Sequence, residues 1–145
     1  PQWQNVAETV SLAVAALDLA TVIVDHSDLP SLEIYADPLF EKVFYNLLEN
    51  SVRHGENVNK IVITSNETDG GLDIIIEDNG IGIPDEQKEK IFNREYYKNT
   101  GFGLFLSREI LAITNLEINE TGTYKNGARF EIHAPPGTYR LVSGN

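Results

Sequence analysis

The stretch Ile74-Ile-Ile-Glu-Asp78-Asn-Gly80-Ile-Gly82-Ile-Pro84 opens as a strand. Leu72, Ile74 and Ile76 alternate with Asp73 and Glu77, the period of a strand with one apolar face. Side chains change face at every residue, so Asp78 falls on the side of Leu72, Ile74 and Ile76. That side is the expected core. A carboxylate at the mouth of an apolar layer costs several kcal/mol unless hydrogen bonds reach it. The two glycines that follow carry no side chain, which lets a flat ligand approach the backbone closely. Asp78 then reads as an acceptor for an N–H group of a ligand. A strand-end turn in which Asp78 caps local amides is the other use of Asp at such a place. On this stretch alone both readings stand.

Composition bounds the rest. At 145 residues the chain suits one domain, residues 1–145, with a core of its own. There is no signal-peptide pattern and no apolar run near the ~18 residues of a membrane span. The lack of cysteine excludes disulfides and thiolate metal sites and leaves the redox compartment open. The lack of methionine, position 1 included, is expected of a segment of a longer protein. Twenty-two acids against eleven bases give a net charge of −11. That balance argues against nucleic acid or an anionic membrane surface as partner. An anionic ligand would need local cations or a metal.

Outward from the central strand, the chain alternates helices and hairpins. Apolar residues from Trp3 to Leu17 recur at helical spacing. Thr21–Asp25 and Leu32–Ala36 read as strands. Asp37 and Pro38 are placed as N-cap and first residue of a helix that runs to His54 and stops at Gly55. Lys60–Asn66 and Leu72–Asp78 form a hairpin about Asp69-Gly70-Gly71, and Asp85–Phe92 reads as a short polar helix. Gly101-Phe-Gly103 opens a helix to about Thr114. Leu116–Thr121 and Ala128–Ala134 form a second hairpin with Asn126-Gly127 in its turn. The tail beyond Pro135-Pro136 is expected to be loosely ordered. The expected fold is an α+β two-layer sandwich. Its mixed, mostly antiparallel sheet is covered on one face by about three helices.

The helix ending at His54 carries a second signal. Phe40, Val43, Phe44, Leu47, Leu48 and Ser51 share one broad face. Asn46, Asn50 and Arg53 lie within roughly 60° of one another on a different arc. Asn is a poor interior helix residue, and a solvated face would more naturally carry Glu, Lys or Gln. Amide oxygens suit Mg²⁺, which bridges to substrate phosphates, and Arg53 can meet phosphate oxygens.

Together and in order, these pieces resemble the ATP-binding catalytic domain of sensor histidine kinases. That domain belongs to the superfamily shared with gyrase, the heat-shock chaperone ATPase and the mismatch-repair ATPase. Asn46-Leu-Leu-Glu-Asn50-Ser-Val-Arg53-His54 resembles the N box, with Arg53 where Lys is usual. Asp78-Asn-Gly80-Ile-Gly82 matches the first glycine box. Gly101-Phe-Gly103-Leu104-Phe105-Leu106 resembles the second, with Phe105 where Gly is common. Phe92 starts the usual F box, but Asn93-Arg94-Glu95-Tyr96-Tyr97 departs from its wording. The segment Asn93–Thr100 would be a short ATP lid, mobile without nucleotide and ordered on binding.

The resemblance implies that Asp78 accepts a hydrogen bond from the adenine amino group while Gly80, Gly82 and Ile83 border the ring. It implies Asn46 and Asn50 as Mg²⁺ ligands, with Arg53 and His54 near the triphosphate. Lys98, Gly101, Phe102, Gly103 and Leu104 would complete the phosphate side. The implied catalytic set is Asn46, Asn50 and Arg53. The reaction implied is transfer of the γ-phosphoryl of ATP to a histidine in two-component signalling. None of His26, His54 and His133 precedes the acidic residue usual after the acceptor. The acceptor is thus expected on an upstream dimerisation segment outside this chain, with a response regulator downstream. The domain is expected in the cytoplasm without direct membrane contact, whether or not its parent is membrane-anchored. Relatives that hydrolyse ATP or phosphorylate serine resemble one another in carrying Glu where this chain has Asn46. That Glu is a general base, and an amide cannot take a proton. A nucleotide-binding module without catalysis is the other reading, suggested by the lid and Phe105.

Overall fold

The computed structural model describes residues 1–19, 21–94 and 103–142. In chain order, β1 (Gln2–Asn5) leads into α1 (Val6–Ala16), followed by β2 (Ile23–Asp25), β3 (Leu32–Ala36) and α2 (Phe40–His54). Then come β4 (Lys60–Thr68) and β5 (Gly71–Asp78), and two 3₁₀ turns at Asp85–Gln87 and Lys90–Phe92. The chain closes with α3 (Gly103–Ala112), β6 (Glu117–Glu120), β7 (Arg129–Ala134) and β8 (Tyr139–Leu141).

The main sheet has the order β2-β4-β5-β7-β6, with β2 parallel to β4 and the other neighbours antiparallel. Its central strand is β5, the stretch that carries Asp78. The register sets Ile63 against Ile76 and Ile76 against Phe130, so one face is a continuous apolar ladder. Ile61, Ile63, Leu72, Ile74, Ile76, Phe130 and Ile132 on that face are buried in one cluster with Val43, Phe44, Leu47 and Leu48 of α2. This is the expected α+β sandwich with its helices on one face. Among the described residues no helix is long and apolar enough to cross a membrane.

Several expectations are corrected. The helix foreseen from Trp3 begins at Val6, where Asn5 caps it by accepting from Glu8 N at 2.9 Å. The preceding residues form β1, antiparallel to β3. The tail foreseen as loose forms β8 on the other side of β3. These three strands make a second sheet, whose inner residues Leu32, Ile34 and Ala36 join the same core. Asp37 does not cap α2. Its Oδ1 accepts from Leu39 N at 2.8 Å and its carbonyl from Phe40 N at 2.9 Å, a turn that delays the helix to Phe40. The helix does stop at Gly55 as expected, with that glycine in the right-handed region. The polar helix foreseen at Asp85–Phe92 is two 3₁₀ turns.

Candidate functional site

Strand alternation puts Asp78 at the end of β5 on the core face, where it is 7% exposed. Its Oδ1 accepts from Gly80 N at 2.9 Å and from Ala128 N at 3.0 Å. Its Oδ2 is buried with no partner among the described residues. The capping reading of this carboxylate holds for Oδ1. Oδ1 caps local amides, which fixes the rotamer. Oδ2 is an acceptor left without the hydrogen bond that a buried polar atom ordinarily has.

Beside it lies a cavity of about 200 Å³. Of the residues expected at the site, Asn50, His54, Asp78, Gly82 and Ile83 line it. Ser51, Gly55, Pro84, Gln87, Ile91 and Ala128 complete the wall and were not foreseen. Ser51 shares the apolar helix face of Leu47 and Leu48, so helical spacing marks it as core rather than as cavity wall. Ala128 and Ile91 carry no chemical signal that spacing exposes.

The first glycine box is bound to the end of α2. Ile81 N donates to Gly55 O at 2.6 Å, and a Cβ at Gly80 would sit 2.0 Å from that oxygen. On the side where a Cβ would stand, Gly80 meets the chain's own backbone. Gly82 adopts φ +79, the left-handed region that favours glycine. The wall from Pro84 to Ile91 is pinned from behind by Lys88. Its Nζ is paired with the fully buried carboxylate of Glu120 and donates to Gly122 O at 2.9 Å. Glu120 Oε2 accepts from Arg129 N at 2.9 Å, so Asp78 and Glu120 hold consecutive amides at the start of β7.

Asn46 stands apart from the cavity wall, against α3. Its Nδ2 donates to Gly103 O at 3.0 Å and to Ser107 Oγ at 3.1 Å. Arg53 is 45% exposed and lies 3.7 Å from Glu49, an i,i+4 pair on the helix surface. Burial pushes the His54 imidazole below its ordinary pKa of 6.5; neighbouring Arg53 adds to this and Glu49 opposes it. Leu104 is buried in the core. Lys98, Gly101, Phe102 and most of the expected lid lie outside the described residues. Among the described residues no three His, Cys, Asp or Glu side chains gather as a metal cage.

Residues 36–138 match the family described as histidine kinase-, DNA gyrase B-, and HSP90-like ATPase. The chain is 30% identical to the sensor protein KdpD of Escherichia coli (strain K12) over 147 aligned positions, covering 94% of this chain and 16% of KdpD. It thus spans a small part of that relative's length. The mycobacterial sensor histidine kinase MprB superposes with a TM-score of 0.82 at 14% identity, covering 97% of this chain and 99% of that one. The catalytic domain of histidine kinase ThkA superposes with a TM-score of 0.74 at 26% identity, covering 93% of this chain and 98% of that one.

Proposed function

The chain belongs to the histidine kinase-, DNA gyrase B-, and HSP90-like ATPase family, and from that premise we propose that it is the nucleotide-binding catalytic domain of a sensor histidine kinase. It binds ATP with Mg²⁺. It transfers the γ-phosphoryl group to a histidine on a dimerisation segment outside these residues, from which a response regulator is phosphorylated.

The observation that carries this reading is the unpartnered Oδ2 of Asp78 at a cavity between α2 and β5. A carboxylate oxygen only accepts, and the exocyclic amine of adenine supplies the missing donor. Guanine presents a carbonyl oxygen at that ring position and leaves two acceptors facing each other. Each unsatisfied buried group costs roughly 1–3 kcal/mol, so GTP binds at least about tenfold more weakly than ATP.

Between Asp69 and Glu89 there are seven acids (Asp69, Asp73, Glu77, Asp78, Asp85, Glu86, Glu89) and one base, Lys88. That base is engaged by Glu120. A triphosphate cannot rest on such a surface without a cation. The amide oxygens of Asn46 and Asn50 are hard donors that suit Mg²⁺, with phosphates and water completing its shell. When bound, the ion neutralises charge on the transferring phosphoryl group. Among the described residues Arg53 is paired with Glu49 on the helix surface, a weak pair from which it can turn towards a phosphate.

Position 46 supplies no general base. Asn46 cannot take a proton, and its amide nitrogen is already committed to Gly103 and Ser107. The acceptor must be a nucleophile in its own right, which histidine is and a serine hydroxyl or water is not. This supports histidine transfer over ATP hydrolysis or serine phosphorylation.

Incubation with labelled ATP, Mg²⁺ and the helical segment upstream in the parent protein tests the reading. Label on a histidine of that segment is expected, with none for Asn50→Ala. ATP bound without any transfer would leave a nucleotide-binding module instead.

A further inference from the structure

Asn46, Gly103 and Ser107 close a triangle of hydrogen bonds between α2 and α3. Ser107 Oγ donates to Gly103 O at 2.8 Å, and Asn46 Nδ2 donates to both Gly103 O and Ser107 Oγ. The protons are fully assigned by this arrangement. A carbonyl only accepts, so Gly103 O must face donors. The hydroxyl proton of Ser107 is used on that carbonyl, which leaves Ser107 Oγ an acceptor towards Asn46. Asn46 therefore has to present its NH₂ group to α3, and its Oδ1 is turned away from the two acceptors. Ser107 is fully buried, so no water competes for its hydroxyl. Gly103 leaves Oδ1 uncovered, since a Cβ there would lie 3.5 Å from it.

We infer that Ser107 is a positioning residue that holds the Asn46 amide with its oxygen free for the Mg²⁺ of a bound nucleotide, through the Asn46–Gly103–Ser107 triangle. The inference rests on the metal-ligand reading of Asn46 proposed above. An amide that flips in half its population offers an NH₂ group to the cation and repels it. Partners that orient a metal ligand typically contribute 10- to 100-fold to metal affinity. Gly103 O still holds Asn46 when Ser107 is changed, which puts the expected effect at the lower end, roughly tenfold.

The test compares wild type with Ser107→Ala and Ser107→Cys, the second retaining the buried volume while weakening the hydrogen bond. In the nucleotide-free domain, the side-chain amide resonances of Asn46 are expected to shift in both variants. Calorimetry then gives the ratio of ATP affinity with Mg²⁺ to that with a chelator. That ratio is expected to fall roughly tenfold in the variants, while adenosine, which Asp78 reads, binds all three proteins equally. Unchanged Asn46 resonances would overturn the inference whatever the metal does. So would shifted resonances with an undiminished Mg²⁺ ratio. A wild type with no Mg²⁺ effect would sink the metal reading itself, and the role of Ser107 with it.

Discussion

Asp78 and Ala128 hold each other by two hydrogen bonds. Ala128 N donates to Asp78 Oδ1 and Asp78 N donates to Ala128 O, both at 3.0 Å. With Gly80 N on the same carboxylate oxygen, the side chain cannot rotate without breaking two bonds. This makes the outcome of Asp78→Asn specific. The Asn oxygen must stay where Oδ1 is, because both neighbours are donors. The NH₂ group then occupies the place of Oδ2 and faces the cavity as a donor. ATP should bind roughly tenfold more weakly, since its amine meets a donor, and GTP should gain relative to ATP because its carbonyl meets one. Competition of a fluorescent ATP analogue by ATP and GTP, on wild type and variant, checks this. A variant that still prefers ATP by the wild-type margin would mean that Asp78 does not read the base.

Legibility in the sequence followed the range of the interactions. The inward aim of Asp78 follows from alternation within one strand, and the apolar face of α2 follows from a period within one helix. Neither needs a distant partner. β1 and β8 had no such signal, since Gln2-Trp-Gln-Asn5 and Tyr139-Arg-Leu141 show no clean alternation. They are strands because each pairs with β3. Asn46 is the sharpest case. Its residue type marked it as functional, yet which end of the amide faces where depends on Gly103 and Ser107. No pattern inside the helix carries that information. The glycine box alone does not say what packs against Gly80. The space it leaves is filled by Gly55 O, because the loop packs on the helix end.

Two glycine-to-alanine changes should separate fold from site. At Gly80 the new Cβ would sit 2.0 Å from Gly55 O and 2.6 Å from Val58 Cγ2, so the loop or the helix end must shift. A loss of roughly 1–3 kcal/mol or more is expected, read as a lower denaturant midpoint. At Gly103 the nearest atoms are those of the Asn46 amide at 3.4–3.5 Å, ordinary contact distances. Gly103→Ala should fold at least as stably as wild type, since Ala is the better helix former by up to about 1 kcal/mol. Its Cβ would cover Asn46 Oδ1, so the Mg²⁺ enhancement of ATP binding should fall. Equal stability losses for the two variants would contradict these packing distances.

Lys88 and Glu120 should show the asymmetry of a buried pair. The Glu120 side chain is fully buried and that of Lys88 is 20% exposed. Lys88→Ala strands a carboxylate in the core and should cost about 3 kcal/mol, the lower end for breaking a buried pair. Adding Glu120→Gln removes the stranded charge and should recover part of that loss. Nucleotide affinity should fall in Lys88→Ala as well, because Lys88 pins the segment that supplies Pro84, Gln87 and Ile91 to the cavity. Urea titrations of the single and double variants decide the matter. If Glu120→Gln lowers the stability of Lys88→Ala further, the buried-charge account is wrong.

His54 gives the site a pH dependence whose sign follows from its depressed pKa. Burial disfavours the imidazolium, with Arg53 adding to that and Glu49 opposing it, so the folded value lies below the ordinary 6.5. Above 6.5 the ring is neutral in both folded and unfolded chains and contributes nothing to the difference. As pH falls through 6.5 the unfolded chain takes up a proton that the folded chain does not, and stability is lost. The loss grows until the folded pKa is passed and is constant below it. Stability should therefore rise with pH across that window, and His54→Gln should flatten the rise. Nucleotide phosphates beside His54 would reverse the bias, because an anion favours the imidazolium. ATP binding just below pH 6.5 should then be accompanied by proton uptake, absent in His54→Gln. Calorimetry in two buffers of different ionisation enthalpy measures that uptake, and NMR titration of His54 gives its pKa in each state. No proton uptake, with an unmoved His54 pKa, would place the phosphates away from this end of α2.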